Sequence, residues 1–155
     1  MKMKEIDIRL ATKQDLPILN HFYADMDEKP LMSEEKISAI WNQIQQVPNY
    51  HIYLAYWEDK AIGTFSLLFM PTMMHRGFHK SAILDSVTVA TAYRGKGFGK
   101  QMMQKAFKIS FEAGCYKITL SSNLKRDRAH KFYESLGFKQ HGWSFSYHIA
   151  TKQNG

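Results

Sequence analysis

The chain has 155 residues, the length of one ordinary globular domain, and its 45% apolar and 23% charged residues with nine Gly and four Pro exclude collagen-like and mainly disordered classes. No apolar run reaches the roughly 20 residues of a membrane helix, the opening MKMKEIDIRL lacks a signal peptide's apolar stretch, and Cys115 alone makes neither an intrachain disulfide nor a cysteine zinc site. A soluble, cytoplasmic single domain over residues 1–155 is expected, with a net charge of +7 placed unevenly: between Arg94 and Lys131 stand ten basic and two acidic residues, against eleven and twelve elsewhere, so an anionic partner is expected there.

Ile6, Ile8 and Leu10 alternate with polar and charged residues and predict a first strand over 6–11, followed by a helix capped by Thr12 or Asp15 and running to about Met26. Pro30 interrupts. Ser33 with Glu34, Glu35 and Lys36 then starts a second helix, whose Ile37, Ile40, Trp41 and Ile44 keep helical spacing until Pro48. Residues 51–57 and 61–70 read as strands joined by Glu58, Asp59 and Lys60, a hairpin by composition and loop length. Residues 71–80 form a loop and 81–89 another long strand. An amphipathic helix over 100–113 is stopped by Gly114, a short strand covers 117–120, and a helix over 126–136 carries the stripe Ala129, Phe132, Tyr133 and Leu136 up to Gly137. Residues 138–140 and 145–149 are expected to pair through a turn at Gly142. The order β-α-α-β-β-β-α-β-α-β-β implies a mixed α+β sheet with helices on its faces.

The stretch Arg94-Gly95-Lys96-Gly97-Phe98-Gly99-Lys100 places three glycines between a strand and a helix. Glycines let backbone N–H groups approach an anion with no Cβ in the way, the helix start adds partial positive charge, and Arg94, Lys96 and Lys100 add full charges; phosphate suits all three. A Walker A loop does not fit, because Gly95 to Lys100 is one residue short and Gln101 stands where Ser or Thr would hold magnesium. The G-x-G-x-G spacing, with about ninety residues before it, also fails the dinucleotide fingerprint.

What fits is Q/R-x-x-G-x-G/A, matched by Arg94, Gly97 and Gly99, and through it the sequence resembles the GNAT N-acetyltransferase family. The resemblance continues in Ala129-His-Lys-Phe132-Tyr133-Glu-Ser-Leu-Gly137-Phe138, which looks like that family's A-x-x-F-Y-x-x-x-G-F signature. It is close over 84–138, while the first eighty residues match only in the order of elements. It implies a mixed, mostly antiparallel sheet of six or seven strands with helices on both faces, and acetyl-CoA bound as cosubstrate where two neighbouring strands splay apart. The implied activity is direct acetyl transfer, in a ternary complex, to the primary amine of a small molecule.

By the same resemblance the pyrophosphate sits on the amides of Arg94, Gly95, Lys96, Gly97, Phe98, Gly99 and Lys100, and Val87, Thr88 and Val89 offer backbone groups to the pantetheine arm. Asn123 contacts the cofactor, Ala129 and Phe132 line its side, and Tyr133 protonates the departing thiolate. The other reading of Tyr133 is a core aromatic on its helix stripe. An amine with a pKa near 10.4 costs roughly 4 to 5 kcal/mol to neutralise at pH 7, so a base or a water chain is needed. Asp85 is the one acid between Asp59 and Glu112, and simple strand alternation puts it on the face of Val87 and Val89. It is the candidate base, with amine binding, a structural hydrogen bond or plain exposure as alternatives.

The family's acceptor pocket corresponds to residues 22–33 and 71–80. Asp25, Asp27 and Glu28 form a cluster that could receive a cationic amine, or a solvated turn; Met73, Met74 and Phe78 suggest a partly apolar lid. The stretch 119–133, with Ser144 to Tyr147, also resembles the branch of aminoalkylphosphonate and other small-amine N-acetyltransferases, where Arg76 and Lys80 would serve a phosphonate while the acidic cluster favours a polyamine or aminoglycoside. His75 and His79 lack a nearby carboxylate, so no metal is expected. Competing readings are acetylation of a protein N-terminus or lysine, a silent acyl-CoA sensor, and a nucleic-acid-binding module using the basic segment with Tyr93, Phe98, Phe132 and Tyr133. Three glycines at a helix start disfavour the last. A homodimer contact is expected at 145–149 or the loop at Met73.

Overall fold

A computed structural model describes residues 5–73, 77 and 80–150. The chain divides into two compact units, Met1–Leu120 and Ser121–Gly155. In the first, five strands lie in the order β1 (Asp7–Leu10), β2 (Tyr50–Trp57), β3 (Lys60–Pro71), β4 (Lys80–Val89) and β5 (Lys117–Thr119). The first three pairings are antiparallel and the last, β4 with β5, is parallel.

Local chemistry explains the element boundaries. Thr12 opens a 3-10 turn, Lys13–Asp15, its amide and hydroxyl both donating to the Asp15 carboxylate at 2.8 and 3.2 Å. That turn leads into α1 (Leu16–Asp27). At the start of α2 (Glu34–Gln45) the Lys36 amide donates to Ser33 Oγ at 3.2 Å, the expected cap. The hairpin between β2 and β3 is tighter than its composition suggests. Trp57 pairs with Lys60, and Glu58 and Asp59 both take positive φ (48° and 63°), as a two-residue type I′ turn requires.

Directly paired residues share a sheet face. The register Leu54↔Thr64 and Ile52↔Ser66 therefore sets Ile52 and Leu54 beside Thr64 and Ser66, and Leu16, Leu19 and Phe22 of α1 with Ile37 and Trp41 of α2 close over that face. The opposite face, which includes Gly63, is covered by α3 (Phe98–Glu112), whose Met102, Met103 and Ala106 are fully buried. Helices thus lie on both faces of the sheet. The approach of α3 is so close that a Cβ on Gly63 would stand 2.7 Å from Met102 Sδ and 2.8 Å from the Thr88 carbonyl oxygen. Overpacking of this kind costs about 1–3 kcal/mol, so Gly63→Ala is expected to lower Tm by about 3–10 °C, measured by thermal unfolding.

The second unit holds α4 (Asp127–Ser135). The strands expected at 138–140 and 145–149 are not formed: the described residues 138–150 contain no strand, and the sheet has five strands rather than six or seven. Trp143, Phe145, Tyr147 and Ile149 are each more than 80% exposed. Their alternation is a strand pattern, but a strand exists only where its backbone finds a partner edge, and period-two patterning does not supply one.

Candidate active site

The parallel ladder between β4 and β5 covers only Ser81–Ile83, while β4 itself runs on to Val89. Beyond Ile83 the outer edge of β4 has no strand partner among the described residues, which leaves backbone donors and acceptors within 84–89 without a ladder on that edge. Val87, Thr88 and Val89 lie on this stretch. One acceptor is already committed: Arg94 Nε donates to the Val89 carbonyl at 2.8 Å.

A bulge interrupts β4 at the same place. Asp85 pairs with Ser66 and Thr88 with Thr64, so two residues of β4 oppose Phe65 alone, and Ser86 takes φ 51° to accommodate the extra residue. The Ser86 amide donates to Asp85 Oδ1 at 2.8 Å, and Ser66 Oγ donates to the Asp85 carbonyl at 3.1 Å. This corrects the simple alternation. Asp85 shares its face with Thr88, not with Val87 and Val89, and so belongs to the side covered by α1 and α2.

After β4 a 3-10 turn, Thr91–Tyr93, leads into the glycine loop. Gly95 and Gly97 have φ of 73° and 85°, the left-handed region, and Gly97 caps α3. The first helical bond is Gln101 N–H to the Gly97 carbonyl at 3.2 Å, so the amides of Phe98, Gly99 and Lys100 have no acceptor within the helix. Phe98 is an anchor rather than a side-chain contact for a ligand: its ring is buried, 5.3 Å from Trp57 and 6.0 Å from Tyr93. Gln101 Oε1 accepts from the Ile6 amide at 3.1 Å and fixes the helix start from the other side. Arg94, Lys96 and Lys100 remain exposed, Lys96 Nζ lying 5.9 Å from the Tyr93 ring centre. Aligned amides with exposed cations suit a pyrophosphate. Arg94→Ala removes both a charge and the clasp on Val89, and a charge-assisted hydrogen bond is worth about 1.5–3 kcal/mol; the Kd for acetyl-CoA is expected to rise about tenfold or more by calorimetry.

Sequence reasoning placed Tyr23 on no list, because its position in α1 reads as part of an apolar helix face. The structure makes it polar on one side. Burial above all, and then the neighbouring Tyr50 and Asp85, push the Tyr23 phenol up to about 12. Its ring borders an apolar cavity of about 70 Å³ shared with Leu16, Leu19, Trp41 and Ile52.

The acidic cluster lies at the end of the same helix. Asp25 and Asp27 are exposed on the last turn of α1, and Glu28 closes it with φ 53°. The chain beyond is pinned, because the Asn20 side chain both accepts from the Met32 amide at 2.9 Å and donates to the Met32 carbonyl at 2.8 Å. Arg76 lies outside the described residues, as do Met74, His75, Phe78 and His79. Lys80 Nζ donates to the Ala113 carbonyl at 3.2 Å; it caps the C-terminus of α3, where a cation is favoured, instead of facing an acceptor. Among the described residues no three His, Cys, Asp or Glu side chains are grouped to hold a metal, and no helix is long and apolar enough to cross a membrane.

In the second unit, Asn123 Oδ1 accepts from the Lys125 amide at 3.0 Å, and the Asn123 carbonyl meets His130 Nε2 at 2.8 Å and the Arg126 amide at 3.0 Å. Tyr133 is half-buried on α4, its ring 5.3 Å from Phe132 and edge-on to Phe138 at 5.6 Å. Ala129 and Phe132 are likewise half-buried.

A strand that runs on past its short parallel partner, followed by a glycine loop opening a helix, suits an acyl-CoA-binding fold. The model of the acetyltransferase (GNAT) family matches residues 16–138, and the chain belongs to that family, as an acetyl-CoA-dependent N-acetyltransferase. It is 26% identical over 138 residues to glucosamine 6-phosphate N-acetyltransferase of Trypanosoma brucei brucei, covering 88% of this chain and 91% of that enzyme. It is 30% identical over 99 residues to aminoalkylphosphonate N-acetyltransferase of Salmonella typhimurium, covering 64% and 63%. A solved structure from Agrobacterium tumefaciens str. C58, provisionally described as an acetyltransferase, superposes with a TM-score of 0.84 at 28% identity, over 92% of this chain and 99% of the other.

Proposed function

We propose that the chain moves the acetyl group of acetyl-CoA directly to the primary amine of a small molecule in a ternary complex. The observation that carries the reading is the unpaired edge of β4 running into the glycine loop at the start of α3. Acetyl-CoA supplies an activated acyl group and a thiolate leaving group. The loop amides with Arg94, Lys96 and Lys100 bind the pyrophosphate, and the edge of Val87, Thr88 and Val89 orients the pantetheine arm. Asn123, Ala129 and Phe132 serve the cofactor side. Asp85 takes a proton from the acceptor amine, directly or through water, and the Tyr133 phenol gives one to the CoA sulfur, so the proton count balances.

The small-molecule acceptor is supported by the two relatives above, whose names each join an amine to a phosphorus oxyanion. Asp25, Asp27 and Glu28 supply negative charge at the mouth of the acceptor side. Calorimetric titration with acetyl-CoA is expected to give micromolar binding, and a thiol-release assay is then expected to show turnover with small primary amines. Absence of acetyl-CoA binding would overturn the proposal.

A further inference from the structure

The loop that leads into α4 is held without the usual cap. Arg126 stands at the N-cap and makes no side-chain bond to the helix, where Ser, Thr, Asp or Asn would satisfy a free amide. Asn123 does the holding instead. Its carbonyl accepts from the Arg126 amide at 3.0 Å and from His130 Nε2 at 2.8 Å, so both lone pairs of one oxygen are used. A carbonyl only accepts, and Nε2 must therefore carry the hydrogen. The neutral ring in that tautomer and the imidazolium both supply it. His130 is in turn tied to the helix, its own backbone amide donating to the Arg126 carbonyl at 3.0 Å.

The Asn123 side chain is fixed as well. Oδ1 accepts from the Lys125 amide at 3.0 Å, which turns the amide oxygen to the backbone and Nδ2 with its two hydrogens away from it. Asn123 is exposed, and among the described residues Nδ2 makes no hydrogen bond. A held pair of N–H donors suits a ligand rich in carbonyl and phosphoryl oxygens, and acetyl-CoA carries both.

We infer that His130 is a positioning residue for acetyl-CoA: its Nε2–H, bonded to the Asn123 carbonyl, holds the loop so that the Asn123 side-chain amide is aimed before the cofactor binds. The inference rests on the cofactor-side role proposed above for Asn123 and names the group that holds it in place. Ordering a loop during binding costs affinity, and a clasp made beforehand removes that cost.

The test is calorimetric titration with acetyl-CoA of wild type, His130→Phe, His130→Gln, Asn123→Ala and the double variant Asn123→Ala with His130→Phe, each checked by circular dichroism. Phe keeps a ring and removes the donor, while Gln brings an N–H of its own to the reach of Nε2. His130 is half-buried, so neither change opens a core cavity. His130→Phe is expected to raise Kd about three- to tenfold, the value of one hydrogen bond, and His130→Gln to stay within about twofold of wild type. In the Asn123→Ala background His130→Phe is expected to add nothing, because the clasp then has no side-chain amide to aim. Wild-type affinity in His130→Phe, failure of Gln to restore it, or additive effects in the double variant would each overturn the inference and leave His130 a support of α4 alone. Wild-type affinity in Asn123→Ala would instead overturn the role proposed for Asn123, and the inference with it.

Discussion

Tyr133→Phe is expected to lower kcat by about 10²- to 10⁴-fold, the range contributed by a positioned general acid, while the calorimetric Kd for acetyl-CoA is unchanged. The substitution removes one oxygen and its proton. The ring that packs against Phe132 and Phe138 is retained, so the helix stripe and Tm should survive. On the proposed mechanism the departing CoA sulfur then has to take its proton from water. A thiol-release assay at saturating acetyl-CoA and amine reads the effect directly. A kcat equal to that of wild type would assign Tyr133 to packing alone, the other role its place on the stripe allows.

Gly97→Val is expected to weaken acetyl-CoA binding by about 10- to 100-fold, since a residue forced into a sparsely populated backbone region costs about 1–3 kcal/mol. Gly97 has φ 85° and ψ 1° and is the last residue before α3. A β-branched side chain is an outlier there, so the loop relaxes and the amides of Phe98, Gly99 and Lys100 lose their common aim. Gly95 offers a contrast. Its φ is 73°, but a Cβ would meet nothing within 4 Å, so Gly95→Ala strains the backbone without a steric clash and should have the smaller effect. Calorimetry of both variants, with circular dichroism to confirm that each folds, measures the difference. Wild-type affinity in Gly97→Val would remove the loop from the pyrophosphate site.

The glycine loop was legible because its chemistry is local. Three glycines, three cations and a following amphipathic helix within seven residues point to a loop at a helix start, and the fold places them there. The caps at Thr12 and Ser33 were legible for the same reason: a side-chain oxygen meets an amide three residues away, Asp15 reaching back to Thr12 and Ser33 reaching forward to Lys36. Lys80 was not. Nothing in its neighbours reveals that Ala113, 33 residues away, has an unsatisfied carbonyl at the end of α3.

The chain's sequence alone determined the order of strands and helices through β5 and α4, the glycine loop that opens α3, and the family to which those motifs point, because each depends on side-chain period or on groups a few residues apart. Two things were decided only by tertiary structure. Asp85 changed faces because strand alternation holds only while the ladder is regular, and the extra residue at Ser86 becomes visible only when β4 is set against β3. Residues 145–149 kept their alternating pattern without becoming a strand, since the energy of a strand comes from the edge beside it and an isolated sequence contains no edge.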